Sequence, residues 1–329
     1  MPGVPRATES RRAVKQFLID RWFLIGLTVL VVVGTLLGPA LMPLAKVPGI
    51  KDVNLFLVMF FMTLPIALAQ MQGAISRPAP AALAVAISYG LLPAVAWGIG
   101  SLIGPSYGHG LMVASIVPCT QASAAVWTRK AGGNDSIAVL VTIVTNLSCF
   151  LVAPAWLAIM RLTPQGLDFV RMVTQLAGLV VLPMILAQIA RRIGPVAHLA
   201  TKYRTPLGVL VQCGLLSMVF FGAIESSQGL RQGLQTTSGW LSMLAMATGV
   251  VLLHTTMFFV GLYTSKLCGF SREDSTAVAF SGSQKTLMVG LKVAMDSGYS
   301  VLPMITYHIG QLFVDTLLAD WLKRRSGLK

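Results

Sequence analysis

Two stretches decide the reading of this chain: Ile116-Val117-Pro118-Cys119-Thr120-Gln121-Ala122-Ser123 and Phe280-Ser281-Gly282-Ser283-Gln284-Lys285-Thr286. Each lies near the centre of an apolar block of about twenty residues, the length a helix needs to cross a hydrocarbon layer. A continuous lipid-facing helix would not carry Pro, Gly, Gln and Lys at its middle. Unwound backbone at membrane depth is tolerated only where protein buries it or where it lines a cavity. The stretches also correspond at a fixed offset of 163 positions, which carries Gln121 onto Gln284, Thr120 onto Ser283 and Arg129 onto Lys292.

Working outward, further apolar blocks occupy 22–45, 53–71, 80–103, 136–160, 169–191, 206–224, 239–264 and 301–321, with the two interrupted ones at 110–131 and 274–295. That predicts ten spans, and each interrupted block is the fourth of five. Five is odd, so the second half must run opposite to the first. An inverted repeat with a broken helix in each half points to a secondary transporter. The expected fold is therefore an all-α polytopic membrane protein. Its parts are an N-terminal segment (1–21), a first repeat (22–160), a second repeat (161–321) and a tail (322–329). The 22–45 run is too long for a signal-peptide core and reads as an uncleaved first span.

Composition agrees: 55% of the 329 residues are hydrophobic and 11% charged, and the mean hydropathy is +0.76. A soluble enzyme and a disordered chain are both excluded. The net charge of +14 does not mark a nucleic-acid binder, because the cations sit in the gaps between blocks. Counted over the N-terminal segment and every second gap after it, one side holds 18 Lys and Arg and the other 6, with Lys285 left inside the membrane. That bias predicts cytoplasmic N- and C-termini in a cell (inner) membrane. The four cysteines lack metal or disulfide spacing. No metallopeptidase, nucleophile-elbow or phosphate-loop signature is present, so neither enzyme activity nor a cofactor or metal is expected.

Lys285 is the most informative residue, since a mid-span lysine is costly unless it faces the bundle interior or a cavity. The expected substrate and ion region comprises Gln121, Ser123, Thr142, Asn146, Ser283, Gln284, Lys285 and Thr286, with Thr120, Thr145 and Ser88 as further candidates. Side-chain amides and freed carbonyls could hold a polar ligand there, although the same groups could do no more than satisfy broken backbone. Asp315 is the candidate counter-ion of Lys285. His308 stands two turns before it on the same helix, and His254 lies in the eighth span.

The run Ala125-Val126-Trp127-Thr128-Arg129-Lys130-Ala131-Gly132-Gly133-Asn134-Asp135-Ser136-Ile137-Ala138-Val139 resembles a signature of the bile acid:sodium symporter family. The string Gly282-Ser283-Gln284-Lys285-Thr286-Leu287 is similar to the Gly-Ser-x-Lys-Ser/Thr-Leu motif of a subgroup of that superfamily. The resemblance implies a panel domain of spans 1, 2, 6 and 7 and a core domain of spans 3–5 and 8–10. The broken helices would cross in the core, and substrate would pass between the domains as they rock.

The family's sodium-site residues are mostly lost. A Ser-Asn pair falls on Ala124 and Ala125, a serine on Ala138, a glutamate on Phe280, an asparagine on Lys285 and a glutamine on Ser88, whereas Thr142 and Gln284 are kept. Hard cations need several oxygen ligands and gain from a nearby carboxylate. The expectation is thus transport of a small organic anion, bile-acid-like or another amphipathic carboxylate, without sodium, leaving protons or no ion as the coupling partner. The alternative is a membrane regulator or scaffold that keeps the fold without transporting.

Overall fold

The computed structural model describes residues 6–67, 72–76, 78–121, 123–162 and 169–325, with side chains from residue 22 onward apart from 72 and 73. Residues 1–5 of the N-terminal segment and 326–329 of the tail lie outside the described residues.

All the regular structure among the described residues is helical. Six helices are long and apolar enough to cross a membrane unaided: Trp22–Ala45, Ala79–Ile103, Asp135–Ile159, Phe169–Arg191, Arg204–Glu225 and Thr237–Leu267. The first belongs to a longer helix, α1 (Arg6–Ala45). The rest we label α3, α6, α7, α9 and α11, in chain order with the elements between them: α2 (Ile50–Thr63), α4 (Pro105–Ile116), α5 (Ser123–Lys130), α8 (Gly194–Lys202) and α10 (Ser227–Leu234). After α11 come α12 (Arg272–Ser283), α13 (Leu287–Asp296) and α14 (Leu302–Arg325).

Four of the ten expected blocks differ from a continuous apolar span, each for a local reason. Among its described residues the second is helical as α2, the chain leaving the helix after Leu64 towards Pro65, while 68–71 lie outside the described residues. The fourth and ninth are split, as α4 with α5 and as α12 with α13. Val117 at ψ 162° ends α4, and the extended Gln284 and Thr286 separate α12 from α13. The tenth, α14, is long enough but carries the buried polar residues His308, Gln311 and Asp315.

Packing gathers the elements around the two breaks. Helix α1 lies against α9 and α10, and α9 also meets α2 and α13. Helix α12 is wedged between α3, α5, α6 and α11, while α14 packs on α4, α5, α11 and α13. The turn from α3 into α4 takes one residue, Gly104 at φ 91°. The two helices then touch so closely that a Cβ on Gly108 would stand 2.0 Å from the Gly100 carbonyl oxygen. Two π-helical turns interrupt the long helices, Ile87–Leu91 in α3 and Ala177–Val181 in α7. The first bears directly on the site.

Candidate functional site

Breaking a buried helix frees backbone groups that must find partners away from water. In the first break every carbonyl from 117 to 120 is accounted for. Val117 O accepts from Lys285 Nζ at 3.0 Å, and Pro118 O accepts from the Thr286 amide at 2.8 Å. Cys119 O accepts from Asn146 Nδ2 at 3.0 Å, and Thr120 O accepts from the Thr142 hydroxyl at 3.0 Å. The Cys119 amide donates to Thr145 Oγ1 at 3.2 Å. Thr142, Thr145 and Asn146 therefore serve as the first break's scaffold from α6, and their expected placement on one side of that helix is what lets them do so.

The second break is served from α14 by a residue the sequence reading passed over. Gln311 accepts from the Lys285 amide at 2.9 Å and donates to the Lys285 carbonyl at 3.0 Å, replacing both lost backbone bonds with one side chain. A glutamine in an otherwise apolar run is a signal, though a weak one beside Asp315. The Ser283 carbonyl, at the end of α12, accepts from the Tyr307 hydroxyl at 2.8 Å and lies 3.2 Å from His254 Nδ1.

Lys285 is fully buried, and its ammonium does not meet Asp315. It donates to Ser88 O at 2.6 Å, Ser88 Oγ at 3.0 Å and Val117 O, above the Tyr89 ring at 5.3 Å. The free Ser88 carbonyl has a backbone cause. In the π turn the Leu92 amide bonds Ile87 O instead, and residue 93, next in line, is a proline without an N–H. A lysine has three donors, and here three oxygens receive them. The expected counter-ion is thus replaced by freed carbonyls, which sequence spacing does not reveal.

Asp315 is committed elsewhere. Its Oδ1 lies 2.8 Å from His254 Nε2, and its Oδ2 accepts from Gln284 Nε2 at 2.5 Å. Gln284 Oε1 in turn accepts from the Thr120 and Ser123 hydroxyls, both at 2.8 Å. The site therefore holds the carboxylate expected there, but its oxygens are engaged by His254 and Gln284 and not by Lys285. His308 bonds Gln311 at 3.1 Å rather than pairing with Asp315. Gln121 and Gln284, 163 positions apart, do different things: Gln121 Nε2 reaches Met184 Sδ at 3.5 Å, and its Oε1 has no partner among the described residues. Phe280, where the resemblance would place a glutamate, packs edge-on against Phe258 at 4.9 Å. Ala124 and Ala138 are buried, and Ala125 packs on the core. Glu225 pairs with Lys51 at 2.6 Å, well away from the breaks.

A cavity of about 320 Å³ opens beside the first break. Its polar lining is Thr120, Gln121, Ser123 and Thr286 from the breaks, with Gln212 from α9 and His308 from α14. Phe23, Phe61, Leu215 and Leu312 are among its apolar walls, and Arg204 is the charged residue lining it. A larger cavity of about 680 Å³, lined by Tyr107, Glu225, Tyr299 and several serines, touches neither break. The smaller one has the features of a ligand site, an apolar body with a few converging polar groups.

The chain is similar to sodium/bile acid cotransporter 7-B of Xenopus laevis, 27% identical over 233 residues that cover 67% of this chain and 66% of that protein. Sodium/bile acid cotransporter 7 of Xenopus tropicalis is 26% identical with the same coverage, and that of Danio rerio is 25% identical over 223 residues, 65% of each. The chain thus matches just under two thirds of each relative's own length. The model of the SBF-like CPA transporter family, by contrast, covers residues 21–324, nearly the whole chain. Together with the six apolar spans, that match makes the protein a multi-pass membrane protein, and the chain belongs to the SBF-like CPA transporter family, a family of transporters and not of enzymes.

Proposed function

We propose that this protein is a secondary transporter that moves a small organic anion by alternating access and does not couple it to sodium. The observation that carries the reading is the position of the cavity. Its polar floor is made by the two breaks, its walls are mostly apolar with Gln212 and His308 among them, and the cation Arg204 lines it. An amphipathic carboxylate matches that distribution, and the bile acids in the relatives' names are of that class. Helices α1, α2, α7 and α9 serve as the panel domain, and α3–α6 with α11–α14 as the core domain. The ten spans form two inverted repeats, with both termini in the cytoplasm and the protein in the cell (inner) membrane. Support for the panel and core comes from the packing of α1 on α9 and of α12 among α3, α5, α6 and α11.

Independence from sodium follows from Lys285. Its ammonium occupies oxygens of Ser88 and Val117 that a bound cation would otherwise use. Being covalently fixed, it cannot leave with the substrate. Lys292 on α13, paired with Asp296 on its own helix, also pairs with Asp52 on α2 at 2.8 Å. That pair is a tie between the two domains that must part when they rock. The test is uptake of labelled cholate and labelled aliphatic keto acids into proteoliposomes, in sodium and in potassium. Saturable uptake equal in both salts is expected, and it should fall at least tenfold in Arg204→Ala. No uptake of any of these anions above that of empty liposomes would overturn the reading in favour of a non-transporting membrane protein.

A further inference from the structure

His254 has an oxygen at each ring nitrogen, and that arrangement fixes a proton count. Nε2 faces Asp315 Oδ1 at 2.8 Å, and Nδ1 faces the Ser283 carbonyl at 3.2 Å. A carbonyl only accepts, so a hydrogen bond to it requires a proton on Nδ1. The contact to Asp315 needs a second proton, on Nε2 or on the carboxyl. Both contacts exist only when the pair carries two protons, as imidazolium with carboxylate or as Nδ1–H imidazole with carboxylic acid. Either form is neutral overall, which suits side chains 1% and 0% exposed.

With one proton the pair is an Nε2–H imidazole beside a carboxylate. The Nδ1 lone pair then faces the Ser283 oxygen, which already accepts from Tyr307. Two lone pairs repel, and His254 lets go of the end of α12. Among the described residues the surroundings supply no substitute. Tyr307 on α14 stands edge-on to the His254 ring, with centroids 5.8 Å apart. Lys285 is held by Ser88 and Val117, Cys119 in the first break bonds the backbone there, and His308 reaches the second break only through Gln311.

The consequence runs to the cavity. Asp315 holds Gln284, and Gln284 holds Thr120 and Ser123, two residues of the cavity floor. We propose that the His254–Asp315 pair is a proton-binding site whose occupancy sets how firmly the two breaks are joined beneath the cavity. Released to water, one proton leaves the pair with a net negative charge and a loosened α12. As the seat of a coupling proton the site rests on the transport reading, whereas as a proton site it stands without it.

The test needs no substrate. In wild-type protein with ¹⁵N-labelled histidine in lipid bilayers, magic-angle-spinning NMR reads each ring nitrogen. The His254 signals are assigned by their loss in His254→Gln, or by elimination with His109→Gln, His198→Gln and His308→Gln. A protonated Nδ1 at pH 6, lost when the pH is raised, is expected. In Asp315→Asn, whose amide donates to Nε2 permanently, the His254 signals should not move with pH. Across the same pH change, hydrogen exchange at 283–286, corrected for its intrinsic pH dependence, should lose at least tenfold protection in wild type and not in Asp315→Asn. An imidazole protonated only on Nε2 at pH 6, a pH-invariant His254, or unchanged protection while His254 titrates would each overturn the proposal. Absence of transport would leave it standing.

Discussion

Replacing Lys285 with methionine keeps the unbranched chain up to the ε position and removes three donated hydrogen bonds. Two of the acceptors are backbone carbonyls with fixed positions, Ser88 O and Val117 O. The third, the Ser88 hydroxyl, can rotate to another partner. A buried acceptor left unpaired costs about 1–3 kcal/mol, so two cost about 2–6 kcal/mol. Loss of the contact with the Tyr89 ring adds roughly 0.5–1 kcal/mol or more. Against this, methionine carries no charge to desolvate, which favours the lower half of the range. At roughly 2–4 °C per kcal/mol for a domain of 150–250 residues, and less for a longer chain, the predicted fall in melting temperature is roughly 5–12 °C. The assay is thermal unfolding of purified protein in detergent, with Ser88→Ala as the comparator. That variant loses one replaceable bond and should shift by no more than a third as much. A Lys285→Met protein that melts within a degree of wild type would refute the argument, because the freed carbonyls would then have no need of the ammonium.

Other outcomes follow from the same geometry. Gln311→Leu removes both bonds that replace the second break's backbone pairing, so it should destabilise by about 2–5 kcal/mol, read as a drop in melting temperature. Sodium at a concentration that would be a hundredfold above a working dissociation constant would add about 2.7 kcal/mol if it bound the native state alone. No sodium-specific rise over potassium is expected, and a clear one would restore a sodium site. Reporter fusions at Lys329 and near Lys202 should both report cytoplasm, as the charge bias requires; an external signal at either position contradicts the ten-span topology. Lys285→Asn with Phe280→Glu should produce the sodium-dependent rise that the native sequence lacks.

The parts of the site that could be read from sequence are those where a side chain violates its surroundings. Pro118, Gln121, Gln284 and Lys285 are conspicuous in apolar blocks, and the helices do break where they stand. Thr142, Thr145 and Asn146 were legible as one face of a helix, since spacings of three and four align on a turn. The acceptor of Lys285 was hidden because it is backbone. A π turn followed by Pro93 frees the Ser88 carbonyl, and neither feature marks the serine itself. The link from His254 to Asp315 joins positions 61 apart on helices whose mutual rotation no single sequence specifies. Six spans stand out by length and apolarity; the second block leaves the helix after Leu64, whereas the fourth, ninth and tenth spend central residues on polar contacts instead of on lipid.

That expenditure bears on how transport could be driven. In a carrier with a removable cation, binding brings a positive charge to the breaks and release takes it away, so the two states of the site differ by one charge. Here the positive charge is fixed on Lys285 by three oxygens, and the site cannot cycle its charge by that route. The neighbouring groups that can change charge are His254 and Asp315. They reach the cavity through Gln284, which contacts Asp315 on one side and Thr120 and Ser123 on the other. A fixed cation beside an exchangeable proton performs the same electrostatic task as an exchangeable cation, provided that losing the proton alters the contact between the breaks. A ligand can shift an equilibrium between two states only by its difference in affinity for them. On the proposed proton site, the two protons that the His254 contacts require supply such a difference between a second break held by His254 and one released from it.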